Sequence, residues 1–436
     1  VSAQVPGPPG NALWGESLRL LRDPLGHLGR LFEAHGRLIR FQKGRSWRYI
    51  TSDPEAFHHV FVAKHRNYVK SRRYRHLSSL IGHGLVTTEG EEWQRQRRAV
   101  QPQFRVENAP SARPAVQAVI ERVLAKWKGA GRVDLAEEMY SLTLDVAGRS
   151  FLGVELLKDD REFLDSVLFC LRHVNLRMES PIDLPDFVPT LSRLRFRARV
   201  ARLDALVMEA IGKRRTEIAR GAPSAGPLDA LLSARFENGQ GFSERQVRDQ
   251  AMTLLLAGYD TTATALTWTW WLLSRHPQEL ARVREEAWAG GELPYLEAVI
   301  KESMRLYPPA WIVSRQSVED DEILGYRIPA GSTVNLVPYF SHRDPAWWDE
   351  AASFRPERFL GNDDGGARHR LAYAPFAAGP RACLGNHFAI LEMKTVISQL
   401  LTRAGISFEG PESILRPEPV VVLRPRGSLP ARVDVR

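Results

Sequence analysis

Ten residues near the carboxyl end, FAAGPRACLG (376–385), hold one of only two cysteines in a chain of 436 residues. Cys383 follows Arg381 by two positions, lies between Gly379 and Gly385, and precedes the helix-like run LGNHFAILEMKTVISQLL. A thiolate, not a thiol, binds metal, and a neighbouring cation and a helix N-terminus both favour it. Zinc needs three further Cys, His or carboxylate ligands, and none is grouped nearby. A nucleophilic cysteine needs a histidine base that sequence cannot place. Inert packing is a third reading, and it is the one that suits Cys170 in FLDSVLFCLRHV.

Three more segments carry acids, bases or hydroxyls at usable spacing. In AGYDTTA (257–263), Gly258 lets another group approach the helix backbone, and Asp260 with Thr261 sets an acid beside a hydroxyl in apolar surroundings. Thr261 or Thr262 can instead bond back to a carbonyl four residues earlier, and Asp260 can pair with a distant base. In LEAVIKESMRLYPPA (296–310), Glu302 and Arg305 share one helix face and can pair. A surface pair of that kind contributes under ~1 kcal/mol and needs no function. In FRPERFL (354–360), Arg358 follows a proline-interrupted turn and can reach a carboxylate. A single thiolate ligand without companions suits haem iron, whose in-plane ligands come from the macrocycle.

The elements that must position these residues follow from periodicity. SERQ (243–246) is a capping box and Pro277 marks a helix end, so one long helix carries Asp260. Its stretch AMTLLLAGYDTTATALTWTWWLL (251–273) is long enough to cross a bilayer. Asp260 at its centre costs about 2.5–3.5 kcal/mol there, and six threonines add polarity, so a helix buried in protein is expected. Residues 16–36 have helical spacing, and 37–53 read as a strand pair turning at Gly44. Most of 54–310 is helical, and short strands return from 311 before a last helix beginning near Leu384. RLRFRARVAR (193–202) alternates basic and apolar, but its neighbours keep a 3.6-residue period. It is expected to be helical, with Leu194, Ala198, Ala201 and Ala205 on one face. The pattern predicts a mainly α fold with a smaller β-containing lobe, an α+β chain forming one large domain over 1–436. Residues 1–60 and roughly 311–345 would supply the β-rich lobe, and 61–310 and 346–405 the helical one.

Composition narrows the classes. With 44% hydrophobic and 25% charged residues, the chain has ordinary globular usage and can bury a large core without staples. Two unrelated cysteines make no disulfide framework, which points to a reducing compartment. The net charge of +9 is scattered, with no nucleic-acid motif beside it. An acidic protein partner is therefore expected, and no nucleic acid. VSAQVPGPPGNALWG has neither the basic nor the apolar region of a signal peptide. It also lacks a starting Met, consistent with loss of an upstream segment.

Taken together, the segments resemble the cytochrome P450 family. FAAGPRACLG matches its haem-binding loop, Phe-x-x-Gly-x-Arg-x-Cys-x-Gly, at every defined position. AGYDTT looks like its oxygen-activating helix motif, ESMR its Glu-x-x-Arg, FRPERF its Pro-Glu-Arg-Phe turn, and WQRQR (93–97) its Trp-x-x-x-Arg helix. Order and spacing agree over residues 93–385. The resemblance implies haem b between the long central helix and the Cys383 helix, with Cys383 as the thiolate on iron. It implies proton delivery to dioxygen by Asp260 and Thr261, with space at Ala257 and Gly258. Trp93, Arg97, Arg315 and Arg381 would bind the propionates, and Phe376, Gly379 and Gly385 would shape the cofactor loop, the glycines making room for the porphyrin. Glu302, Arg305 and Arg358 would form a buried structural network. Tyr259 departs from the His of many relatives, which bears on the relay or the packing, while the retained Asp-Thr pair argues against peroxygenase chemistry.

The implied activity is insertion of one oxygen atom into a hydrophobic small molecule, such as a fatty acid-, terpenoid- or polyketide-like compound. NAD(P)H would supply electrons through a separate ferredoxin- or flavodoxin-like donor and its reductase. Arg72, Arg73, Arg95, Arg98 and Lys394 are candidate docking residues. The substrate is expected to meet residues 84–90, 165–200, 310–314 and 413–422, with Val86, Leu256, Ala257, Ala310 and Val313 as pocket residues. A soluble, cytoplasmic monomer without a transmembrane anchor is expected. The alternatives are epoxidation, peroxygenation or phenol coupling on the same fold, or a haem-thiolate sensor without turnover.

Overall fold

The helix announced by SERQ runs from Glu244 to Arg275. Ser243 accepts from the Gln246 amide while the Gln246 side chain accepts from the Ser243 amide, which satisfies two donors that a helix start otherwise leaves open. At 1.5 Å per residue the helix is about 48 Å long, and from Ala251 to Leu273 side chains are buried on nearly every side. A helix that is apolar all round must be wrapped by others. Helices Leu135–Ala147 and Pro294–Leu306 pack along it. No described helix is long and apolar enough to cross a membrane.

The computed structural model describes residues 4–8, 15–43, 46–154, 161–179, 188, 190–222, 226–236, 239–361, 368–409 and 415–435. The predicted turn at Gly44 falls outside them. The central helix joins two apolar cores. One gathers Trp268, Trp270 and Leu273 with helices Arg113–Trp127, Pro294–Leu306 and Asn386–Arg403. The other gathers Leu255 and Tyr259 with helices Arg161–Glu179 and Leu191–Ala219. Cys170 is fully buried in the second, as a packing residue.

Strands are short: β1 (Leu38–Lys43), β2 (Ser46–Thr51), β3 (Tyr68–Lys70), β4 (Arg132–Asp134), β5 (Val313–Ser317), β6 (Asp321–Ile323), β7 (Tyr326–Ile328), β8 (Thr333–Leu336), β9 (Ala404–Phe408), β10 (Arg416–Pro419), β11 (Leu423–Arg426) and β12 (Pro430–Val435). The largest sheet has the order β1-β2-β8-β5-β3. Lys70 on β3 stands directly opposite Arg315 on β5. A second sheet, β4-β12-β9, and the hairpin β10-β11 use the last residues of the chain.

Two expectations change. The helical stretch over 16–36 is broken at Asp23, whose carboxylate accepts from the Gly26 amide and starts a new helix, Pro24–His35. On Leu191–Ala219 the buried stripe is Arg193, Phe196, Leu203, Val207, Ala210 and Ile211, whereas Leu194, Ala198, Ala201 and Ala205 face solvent. Phe196 decides the orientation by stacking on His173, with ring centroids 4.5 Å apart. A face that seats Phe196, Leu203, Val207 and Ile211 buries more apolar area than one of a leucine and three alanines.

Candidate active site

Four elements enclose one cavity of about 330 Å³: the central helix, the Cys383 loop, β3 with β5, and the helix Gly90–Val100. The loop is built by backbone geometry. Ala377 and Gly379 take φ of 55° and 69°, the Cys383 amide donates to the Phe376 carbonyl at 2.9 Å, and the next helix starts at Asn386. Cys383 is therefore open to the cavity, as are Phe376, Arg381 and Gly385. Burial pushes its thiol pKa up, while the Gly385 amide and the Arg97 guanidinium pull it back toward thiolate.

The glycines divide the work. A side chain at Gly385 would meet nothing within 4 Å, so this position leaves open space at the cavity. Gly379 does not line the cavity. A Cβ there would lie 2.0 Å from the Phe61 carbonyl oxygen, so Gly379 makes room for protein backbone and not for a porphyrin. At Gly258 a Cβ would fall 2.5 Å from the Phe151 ring, so this glycine admits an aromatic edge while also facing the cavity.

Arg97, Arg315 and Arg381 all border the cavity, and Lys70 joins them. The Trp93 ring lies 5.3 Å from Arg381, 5.7 Å from Arg97 and 5.8 Å from Lys70. Arg97 donates to the Ala382 carbonyl at 2.9 Å. Burial pulls the Lys70 pKa down to about 7, with Arg315, Arg381 and Arg97 acting in the same direction and Glu89 against it. Like charges directly opposite in a ladder are destabilising, and Lys70 faces Arg315 in this way. The arrangement becomes favourable when an anionic group enters, and two propionates fit it. Together with an accessible sulfur lacking any other metal ligand nearby, this donor set fits haem. No group of three or more His, Cys, Asp or Glu residues able to hold a metal ion exists among the described residues.

On the central helix, neighbouring residues separate. Ala257, Gly258, Thr261 and Thr262 line the cavity. The Thr261 hydroxyl donates to the Ala257 carbonyl at 2.8 Å. Asp260 turns away: its Oδ1 accepts from Arg424 Nη2 at 2.7 Å and Nε at 3.1 Å, and the pair is buried. Burial raises the Asp260 carboxyl pKa and Arg424 opposes the shift. Tyr259 is fully buried, its hydroxyl without a partner, and its ring packs against Tyr140 at 6.0 Å.

Val86, Ala310 and Val313 line the cavity as expected, joined by Leu85 and Leu254. Leu256 does not; it is buried in the second core, because one helical step turns it off the cavity face. No described residue of 165–200 or 415–422 reaches the cavity, and 410–414 lie outside the described residues. Of the five basic docking candidates, Arg72, Arg95 and Arg98 are exposed. Arg73 donates to the Met178 carbonyl, and Lys394 pairs with Glu297 at 3.0 Å.

Glu302, Arg305 and Arg358 come together, and the first two are completely buried. Arg305 donates to both Glu302 oxygens at 2.7 and 2.8 Å and to the carbonyls of His342, Ala351 and Ser353. Sequence reasoning missed Lys70, Glu89 and Arg424. Lys70 had no motif around it, though its place in YVKSRRYR marks a basic strand end. Arg424 stands 164 residues from its partner.

The family profile described as "Cytochrome P450" matches residues 5–429. The chain is 32% identical to a cyclooctat-9-en-7-ol 5-monooxygenase of Streptomyces melanosporofaciens, over 90% of this chain and 87% of that protein. It is 31% identical to a pentalenene oxygenase of Streptomyces avermitilis, over 92% of this chain and 91% of that protein. Its fold is similar to the retinoic acid-bound cyanobacterial CYP120A1, with a TM-score of 0.86 and 25% identity over 99% of this chain and 100% of that one.

Proposed function

The chain belongs to the cytochrome P450 family and is a monooxygenase using haem and dioxygen; on that premise we propose that it hydroxylates a neutral, terpenoid-like molecule. The observation that carries this is the cavity. Cys383 opens into it, the Ala257–Thr261 turn lines it, and four cations collect along one edge. Bound haem supplies the iron at which dioxygen is held and activated. The chain's own residues hold it and manage protons. Cys383 is the thiolate ligand. Arg97, Arg315, Arg381 and Lys70 hold the propionates through charge-assisted bonds.

The Thr261 hydroxyl, poised on the Ala257 carbonyl, orients water at the cavity wall. Asp260, one residue earlier, is turned from the cavity and paired with Arg424, so it passes protons toward Thr261 only on leaving that pair. The buried Glu302, Arg305 and Arg358 hold the scaffold behind the cofactor.

Leu85, Val86, Leu254, Ala310 and Val313 give the cavity an apolar wall. The cations that line it are those assigned to propionates, so among the described residues a fatty-acid carboxylate finds no dedicated partner. This favours a terpenoid-like substrate over a fatty acid, in keeping with the cyclic compounds in the relatives' names. Electrons come from NAD(P)H through a ferredoxin- or flavodoxin-like donor. Arg95 and Arg98, exposed on the helix whose Arg97 reaches the Cys383 loop, are the best-placed docking cations.

The reduced, carbon monoxide-bound protein should show the red-shifted Soret band of thiolate-bound haem; its absence sinks the cofactor assignment. Cyclic terpenoids should shift the iron spin state where fatty acids of equal size do not. Thr261→Ala should keep consuming NAD(P)H while releasing peroxide in place of product. Unchanged product yield would remove Thr261 from the relay.

A further inference from the structure

Glu89 occupies the N-cap of helix Gly90–Val100, a place where a side chain usually accepts from the first turn, yet it caps nothing. Its carboxylate is committed elsewhere. Oε1 accepts from the Lys70 amide at 2.8 Å and Oε2 from Arg381 Nη2 at 2.7 Å. Arg381 is further fixed by donating from Nη1 to the His65 carbonyl at 2.8 Å, and its Nε is buried without a protein partner. Lys70 Nζ donates to the Leu85 and Thr88 carbonyls at 2.8 and 2.6 Å. One carboxylate thus fastens two of the four cavity cations, and through Lys70 it holds the loop that presents Leu85 and Val86 to the cavity.

We propose that Glu89 is a positioning residue that aims Arg381 and the Lys70 strand at the cofactor's acid groups and sets the charge felt by the iron. This rests on the haem reading of the site. With one N–H of Nη1 and one of Nη2 tied to protein, the Arg381 guanidinium is fixed in orientation at the cavity edge, where the remaining Nη hydrogens can meet a carboxylate. The charge of Glu89 offsets one of the three guanidinium groups, so two remain, with a partly protonated Lys70, against two propionates. Adding an electron to the iron becomes easier when that offset is removed.

Two variants separate charge from geometry. Glu89→Gln keeps an acceptor for the Lys70 amide but removes the charge. Its reduction equilibrium should shift toward the reduced state by roughly threefold to tenfold, where tenfold is about 59 mV for one electron. Glu89→Asp keeps the charge but withdraws the carboxylate by one methylene. Its potential should stay at the wild-type value while haem transfers to an excess of apo-globin several-fold faster. An unmoved potential in E89Q, or haem loss at the wild-type rate in E89D, overturns the proposal, and each stands if the other variant fails to fold. A wild-type protein without the red-shifted carbon monoxide band overturns the haem reading itself, so the two failures are distinguishable.

Discussion

Two arginine clusters, one at Glu302 and one at the cavity edge, differ in how fully they are satisfied. Around Glu302, every guanidinium nitrogen of Arg305 has a partner within the chain, and Glu302 Oε1 also accepts from the Arg355 amide at 2.8 Å. Around Trp93 stand three cations, Lys70, Arg97 and Arg381, with Glu89 bonded to Arg381; Lys70 opposes Arg315 in the ladder, and Arg381 Nε is unmatched. A saturated cluster holds protein to protein. An unsaturated one waits for charge from outside. Residue type alone does not separate them, since both are built from arginine and glutamate.

The sharpest contrast comes from breaking each in turn. Arg305→Met leaves Glu302 as a buried charge with weakened compensation and should cost about 3–5 kcal/mol of stability, with or without cofactor, as read by denaturant unfolding. Arg97→Gln should leave the cofactor-free fold near wild type but lose about 1.5–3 kcal/mol of haem affinity, the value of a hydrogen bond to a charged group. Equal effects on both states would erase the distinction.

His342 sharpens the saturated side. It is fully buried, its Nε2 accepts from the Ala374 amide at 2.9 Å, and burial with Arg343 and Arg305 holds its pKa down at about 3. Between pH 6.5 and 3 the unfolded chain binds a proton there that the folded chain does not, so stability falls as the medium is acidified. The slope contributed is about 1.4 kcal/mol per pH unit, and His342→Gln should flatten the pH profile of stability by that amount.

The smallest effect belongs to Lys70→Met. Relief of the like-charge pair, about 0.2–1 kcal/mol, is opposed by loss of the Nζ bonds to the Leu85 and Thr88 carbonyls, each about 0.5–1.5 kcal/mol. The cofactor-free protein should therefore lose about 1 kcal/mol net while haem is released faster. A gain of stability in the cofactor-free state would mean that the opposition to Arg315 outweighs those bonds.

Much of the site was legible because its signals are local. The Cys383 loop reads as one uninterrupted run, and Ser243 with Gln246 announces the central helix. What escaped were contacts between distant segments and the direction a side chain takes. Asp260 and Thr261 are adjacent, but successive helical residues point about 100° apart, so one faces the cavity and the other faces Arg424. The same rotation removed Leu256 from the wall. Gly379 lies in a haem-loop motif, yet the group that excludes its side chain is the Phe61 carbonyl, which no spacing within the loop could reveal. On Leu191–Ala219 the arginines obscured the period, because Arg193 is itself buried on the packed side.

The hairpin β10-β11 carries a practical lesson for anyone extending or trimming this chain. The Leu423 amide donates to the Pro309 carbonyl, its carbonyl accepts from the Trp268 indole, and the Val420 carbonyl accepts from Trp311. Arg424 adds the tie to Asp260. A few residues later β12 forms the middle strand between β4 and β9. Residues 420–424 thus brace the central helix and the segment leading into β5, so a junction placed at residue 415 would disturb the central helix from behind.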